Sequence, residues 1–395
     1  MFIAIEIAAV VLAILTAQDP QPSQPGQSIG HPYSGRLKRP VAFPATSPHH
    51  ITQSSTRRGR IYFGTDYLVR FLSDTVRRLS ETMPGGAALS VGNLSLESGG
   101  NIPMSRSHNT GRDVDLGYIV ETASGEPAPS YYHSFRKDGR STEAPKRFRL
   151  DLARNWAVFE LMMSSSEAEL QYFIVAPYIE TILIKWAKAN GKDPELIRRA
   201  EQVMMLPAWA KLHDNHIHAR VLCTPEDWAE KCDNGGPVWP WATRMASALE
   251  DLRREVVPAL ASADPAARLA ALHTITSRGV GPAVTDVVPL LTDADEKVRA
   301  EAENALVALT TEVTAQTVLE AAFTASPKVA ARLVAAALPL AGDNGVRTAR
   351  AVIDGRHPAV TEGVPKKDRE KITRFANRLL VSHPIPPDAP SSSPG

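Results

Sequence analysis

The chain has 395 residues, enough for two or three domains with cores of their own. Lys and Arg number 44 against 43 Asp and Glu, a formal net charge of +1, so the clustered basic excess that phosphate binding needs is lacking and no nucleic-acid partner is expected. At 43% hydrophobic and 22% charged residues wholesale disorder is excluded, and two cysteines exclude both a disulfide-rich scaffold and a four-cysteine zinc site.

The N-terminus, MFIAIEIAAVVLAILTAQDP, holds a largely apolar run over 7–17. That length suits a signal-peptide core and is short for a membrane span. No Lys or Arg precedes the run and Glu6 interrupts the apolar stretch, which leaves a mis-assigned start or a buried segment as the other reading. Residues 1–18 are read as a signal peptide or membrane anchor. The protein is then expected to be exported, in the periplasm or cell envelope, and anchored if the segment is not cleaved. The Pro/Ser/Gly/Gln-rich stretch that follows reads as a flexible linker over 19–58.

Folded sequence is expected from about Arg60. Thr65 can cap a helix running to about Thr82, with Leu68, Phe71, Leu72, Val76 and Leu79 on one face. Gly85 and Gly86 break it. Residues 87–96 alternate as a strand does, and 114–120 predict a second. Residues 123–148 read as loop. Helices are predicted over 151–164, 177–190 and 193–205, with a strand at 170–175. The elements mix without a βαβ rhythm, so residues 59–245 are read as an α+β domain with a small antiparallel sheet.

After Trp241 the sequence becomes Ala-, Leu- and Val-rich and nearly free of aromatics. It also repeats at an offset of 31: Leu260 and Leu291, Ala267 and Val298, Asp264 and Asp295, Arg268 and Arg299. Residues 250–382 resemble HEAT-type repeats, an all-α array in which each two-helix unit buries its apolar face on its neighbour. Such a surface is expected to take a protein partner. The Pro/Ser-rich tail, 383–395, is read as disordered.

The chemistry lies in two motifs of the α+β half, SRSHNTGRDVD (105–115) and LHDNHIHARVLC (212–223). Gly111 suits a turn between His108 and Asp115, so a loop and a strand can converge. His216 and His218, spaced i and i+2 on a strand, point to one face. Two imidazoles and a carboxylate are normal zinc donors, and three protein ligands leave one position open, as at a catalytic zinc. His133, His273 and His357 stand apart and read as structural.

The two motifs, with the Gly-rich approach VGNLSLESGGNIP and the segment DLARNWAVFELMM, resemble the penicillin-insensitive murein endopeptidases, zinc peptidases related to D-Ala-D-Ala dipeptidases and lysostaphin-type enzymes. The resemblance covers about 60–235. It implies Zn2+ held by His108, Asp115 and His218, with His216 in base or transition-state work and His213 also assigned to the site. Ser105 stands where some members carry a further His, so a second metal is not implied. The reaction implied is attack of a zinc-activated water on a peptide carbonyl, with peptidoglycan stem peptides as substrate. Asp113 and Asp214 are candidate orienters of ring N–H groups or else solvated or capping carboxylates. Arg106 or Arg112 is a candidate for a substrate carboxylate or a plain surface arginine. Cys223 and Cys232 are too far apart in sequence for a CxxC pair; a disulfide closing that loop, worth ~2–3 kcal/mol, fits an exported protein better than two buried thiols. A D,D-carboxypeptidase or dipeptidase acting on wall peptides, and a non-catalytic wall-binding scaffold, are the competing readings.

Overall fold

A computed structural model describes residues 25–103, 105–142, 148–204, 206 and 213–382. The expected leader, the start of the linker and the tail lie outside the described residues.

The sheet that positions the site has five strands: His50–Thr52 (β1), Leu89–Val91 (β2), Asp113–Gly117 (β3), Leu170–Ile174 (β4) and His216–Val221 (β5). Their order is β4-β5-β3-β2-β1. Four strands are antiparallel to their neighbours, but β1 runs parallel to β2, so the sheet is mixed and the expectation of an antiparallel sheet is corrected.

The correction shares its cause with a second one. Residues 27–58 are not a tether. Gln27–Ile29 pairs with Arg36–Lys38, Val41–Ala42 pairs with Phe63–Gly64, and Ser54–Arg58 is a short helix. Leu37, Phe43 and Ser28 are buried. The Ser28 amide donates to Asp227 and its hydroxyl accepts from Arg112. The prolines and glycines of this stretch serve tight turns between short strands, where composition alone reads as freedom.

Thr65 does cap the first long helix, Asp66–Thr82 (α1): its hydroxyl accepts the Leu68 amide. Leu152–Met163 (α2), Pro177–Ala189 (α3) and Pro194–Val203 (α4) fall close to the predicted spans. The strands are shorter than predicted. After Asn93, whose carbonyl still accepts the Asp115 amide of β3, the chain turns to Ile61 and Phe63, where Leu94 and Ser95 bond. Beyond Gly117, Val120–Glu121 joins a separate small sheet with Pro127–Ala128 and Arg149–Leu150.

Alternation divides the sheet's two faces. Val114 and Leu116 of β3, with Ile217, Ala219 and Val221 of β5, enter a core with Phe71, Leu72, Trp156 and Phe159 of the helices. The opposite face carries Asp113 and Asp115 beside His216, His218 and Arg220.

A second core gathers the helices Thr243–Val256 (α5), Pro265–Arg278 (α6), Glu296–Ala308 (α7), Glu312–Thr324 (α8), Pro327–Ala337 (α9), Val346–Ile353 (α10) and Lys366–Ser382 (α11). The 31-residue offset reappears as paired contacts. Asp264 caps α6 through the Ala266 amide and Asp295 caps α7 through the Lys297 amide. Arg268 donates to the Ser262 and Ala263 carbonyls, and Arg299 to those of Asp293 and Ala294. This second core reaches into the first half. Cys223 and Cys232 are disulfide-bonded, and with Trp228 they pack among Met245 and Leu249 of α5. The Arg278 guanidinium lies 4.2 Å over the Trp228 ring and donates to the Trp228 carbonyl.

Candidate metal centre

The pairing of β3 with β5 sets the site. His218 stands opposite Asp115, Arg220 opposite Asp113 and His216 opposite Gly117. Period-two alternation therefore lines five polar side chains along one face of two strands. His108 arrives from the loop before β3. Gly111, at φ 72°, turns that loop, and a Cβ there would meet the Leu37 side chain at 2.8 Å. The loop is tied to α1, because the Thr65 amide and hydroxyl both donate to the Gly111 carbonyl. His108 itself holds φ 77°, a left-handed conformation that is costly for a residue with a Cβ and is tolerated where the surroundings enforce it.

His108, Asp115 and His218 are buried, and one donor atom from each lies within 4.8 Å of the others. His108 Nδ1 is 2.6 Å from the Leu94 carbonyl. A carbonyl only accepts, so Nδ1 carries a proton, and in the neutral ring Nε2 keeps its lone pair. That Nε2 is buried without a hydrogen-bond partner, 3.2 Å from Asp115 Oδ1. His218 Nδ1 lies 3.1 Å from the same oxygen, and its Nε2 lies 2.9 Å from Asp113 Oδ1. Asp113 also accepts from Arg220 Nε at 2.6 Å. Asn93 Nδ2 donates to Asp115 Oδ2 at 3.3 Å.

The electrostatics favour a cation. Burial works against the charge of Asp115, yet His108, His216 and His218 around it hold it well below the usual carboxylate range. Asp113 is likewise held low despite burial, by Arg220 first and then His218. Burial opposes a charge on His218 too, but its hydrogen bonds to Asp113 and Asp115 prevail and raise it to about 9. Without a metal, both His218 nitrogens donate to carboxylates and the site holds a proton; a divalent ion can replace the Nδ1 proton. An orphaned imidazole nitrogen, an ionised carboxylate and a displaceable proton at one point fit a zinc-type donor set.

His216 is the least buried of the group, with 21% of its side chain exposed. Its Nε2 points to Asp115 Oδ1 at 3.6 Å and its Nδ1 meets Asn215 Oδ1 at 2.6 Å. Burial first, partly offset by Asp115, moves its pKa down. The His213 ring lies 4.8 Å from the ring of His216 and 5.6 Å from that of His218. His213 is pinned through its carbonyl, which accepts from the Tyr118 hydroxyl and the Ala176 amide.

The sequence candidates thus separate. His108, Asp113, Asp115, His213, His216 and His218 come together. Asp214 is half-buried, and its carbonyl holds the Phe135 amide while its carboxylate acts on His216 only as a nearby charge. Arg106 is exposed. Arg112 is fully buried and spent on Ser28 and the Val221 and Asp233 carbonyls, which corrects its reading as a substrate contact. Four residues at the site went unread: Asn93, Tyr132, Asn215 and Arg220. The alternation that pairs His216 with His218 also selects Arg220, so that one had a signal. Tyr132, stacked on His216 at 5.0 Å, sits in a loop with no periodic pattern.

No curated protein matches the chain. The family model described as penicillin-insensitive murein endopeptidase matches residues 28–243, more than half the chain, and that span contains every residue of the cluster. The chain therefore belongs to the penicillin-insensitive murein endopeptidase family and is a peptidase that acts on peptidoglycan.

Proposed function

We propose that the chain is a zinc-dependent hydrolase that cuts the peptide cross-links of peptidoglycan, with His108, Asp115 and His218 as ligands and His216, aided by His213, moving the proton. The observation that carries this reading is the convergence of three buried His and Asp donors on one point, with a fourth, more exposed imidazole facing the same carboxylate. Zinc, when bound, supplies Lewis-acid polarisation of a carbonyl and a water of lowered pKa.

The chain's own groups divide the remaining tasks. Leu94 fixes His108 with its Nε2 lone pair inward. Asp113, itself held by Arg220, takes the His218 Nε2 proton and so orients Nδ1. Asn215 accepts from His216 Nδ1, leaving His216 Nε2 as the base. Burial keeps His216 neutral near neutrality, so that it can take a proton from water and return it to the leaving amine. We read residues 1–18 as a signal peptide or membrane anchor and the enzyme as exported, in the periplasm or cell envelope. Residues 250–382 we read as HEAT-like units offering a surface to a protein partner.

The test is digestion of soluble cross-linked muropeptides by the full chain, read by mass spectrometry. Chelation abolishes cleavage and zinc restores it. His108→Ala, Asp115→Ala and His218→Ala lose metal and activity together. His216→Ala keeps one zinc per chain and loses roughly 10²–10⁴-fold in rate. Cleavage at full rate by protein shown by elemental analysis to be free of metal refutes the reading.

A further inference from the structure

We propose that Tyr132 is a positioning residue for His216, fixing the plane of the imidazole against the Asp115 carboxylate. The proposal rests on the reading of His216 as the proton-handling group.

His216 opens β5 and keeps 21% of its side chain exposed against 6% for Asp115, so its surroundings do not close on every side of the ring. One hydrogen bond, from Nδ1 to Asn215, anchors one edge of the ring. A single anchor leaves the ring free to swing about that edge. The Tyr132 ring closes this freedom: its centroid lies 5.0 Å from that of His216, with an interplanar angle of 27°, while His213 lies against the same ring at 58°. Offset aromatic pairs of this kind attract each other beyond what their burial supplies.

The backbone beneath is cut to admit Tyr132. A Cβ at Gly92 would stand 1.7 Å from the Tyr132 hydroxyl oxygen and 2.7 Å from Cζ. A Cβ at Gly117, the residue opposite His216, would stand 2.8 Å from Ser130 Oγ and 3.1 Å from the Tyr131 carbonyl. Gly117 of β3 and Gly92, the residue after β2, thus lack side chains where the loop carrying Tyr132 passes. Ser130 locks that crossing by donating to the Tyr118 carbonyl at 2.8 Å. The Tyr132 hydroxyl lies buried beside the Asn93 amide without a well-formed hydrogen bond. The contact with His216 is made by the ring.

The experiment uses the zinc-loaded full chain on a soluble muropeptide dimer and measures kcat, KM, zinc content and thermal midpoint. Tyr132→Ala lowers kcat by roughly 10²-fold, the scale of a misplaced catalytic group, with KM and zinc content unchanged. Tyr132→Phe restores most of the lost rate. Gly92→Ala, which wedges the tyrosine out, reproduces the alanine phenotype. In a His216→Ala background Tyr132→Ala costs nothing further, because the group it positions is gone. Equal losses in both backgrounds, loss of zinc, or a Tyr132→Phe as slow as Tyr132→Ala overturns the proposal; the last assigns the work to the hydroxyl. A full-rate His216→Ala overturns the reading of His216 and this proposal with it. A slow His216→Ala beside an unimpaired Tyr132→Ala overturns this proposal alone.

Discussion

The protons of His108 and His218 are assigned by what each ring's far nitrogen touches. His108 gives its Nδ1 proton to a backbone carbonyl and His218 its Nε2 proton to Asp113. Of the proposed ligands, one therefore presents Nε2 and the other Nδ1. The orientation of His218 depends on a carboxylate that depends in turn on Arg220, with both of these side chains fully buried. Removing either partner has a distinct expected outcome. Asp113→Asn keeps the shape but weakens the acceptor, and lowers zinc affinity roughly 10–100-fold, measured by competition with a chromophoric chelator. Arg220→Met strands the Asp113 carboxylate in a buried site and destabilises the fold by about 3–5 kcal/mol in denaturant titration. Unchanged zinc affinity in Asp113→Asn removes it from the support of the site.

At the scale of elements, the His108 loop is braced by a helix that belongs to the core. Thr65 caps α1 through the Leu68 amide, and the same residue holds the Gly111 carbonyl with its amide and hydroxyl. Thr65→Ala removes both hydroxyl contacts. Its expected cost is about 1–2 kcal/mol of stability, the upper range for a lost cap. Because the loop that Gly111 turns carries His108, hydrogen exchange in the 105–112 segment should quicken more than that in α2. Uniform acceleration across both would show that Thr65 serves the helix alone.

For the whole molecule, the two cores meet over Trp228, Cys223 and Cys232. A chain ended at Val256 strips the cover from Trp228, Met245 and Leu249, each buried to within 7% of full exclusion. Exposing such side chains costs about 2 kcal/mol each. The shortened protein is expected to aggregate or melt earlier than the full chain, measured by scattering on a thermal ramp. A start at residue 58 fares worse, since it deletes β1 and the Ser28 contact to Arg112. The helical half also carries a pH response of its own. Burial of His357 lowers its pKa to about 4, so the native state stays neutral while the unfolded chain takes a proton near pH 6.5. Its contribution is complete above pH 6.5 and is lost as pH falls from 6.5 to about 4. His357→Gln should flatten the stability profile in that window; an unchanged slope assigns the acid sensitivity to other groups.

The sequence by itself determined which His and Asp residues gather at the candidate metal centre, α1 with its Thr65 cap, the 31-residue periodicity and the α+β character of the first half. Each is a local signal: donor types at fixed spacing, a capping residue before an apolar stripe, or a repeated offset. Only the tertiary structure decided that residues 27–58 fold, because short strands rich in Pro and Gly look like linker until their partners, such as Arg112 and Asp227, are found far along the chain. It also decided that Arg112 is a brace and that Asn215 rather than Asp214 holds His216. Tyr132 belongs with these. Its role comes from a loop laid over Gly92 and Gly117, a contact between segments that no spacing along the chain encodes.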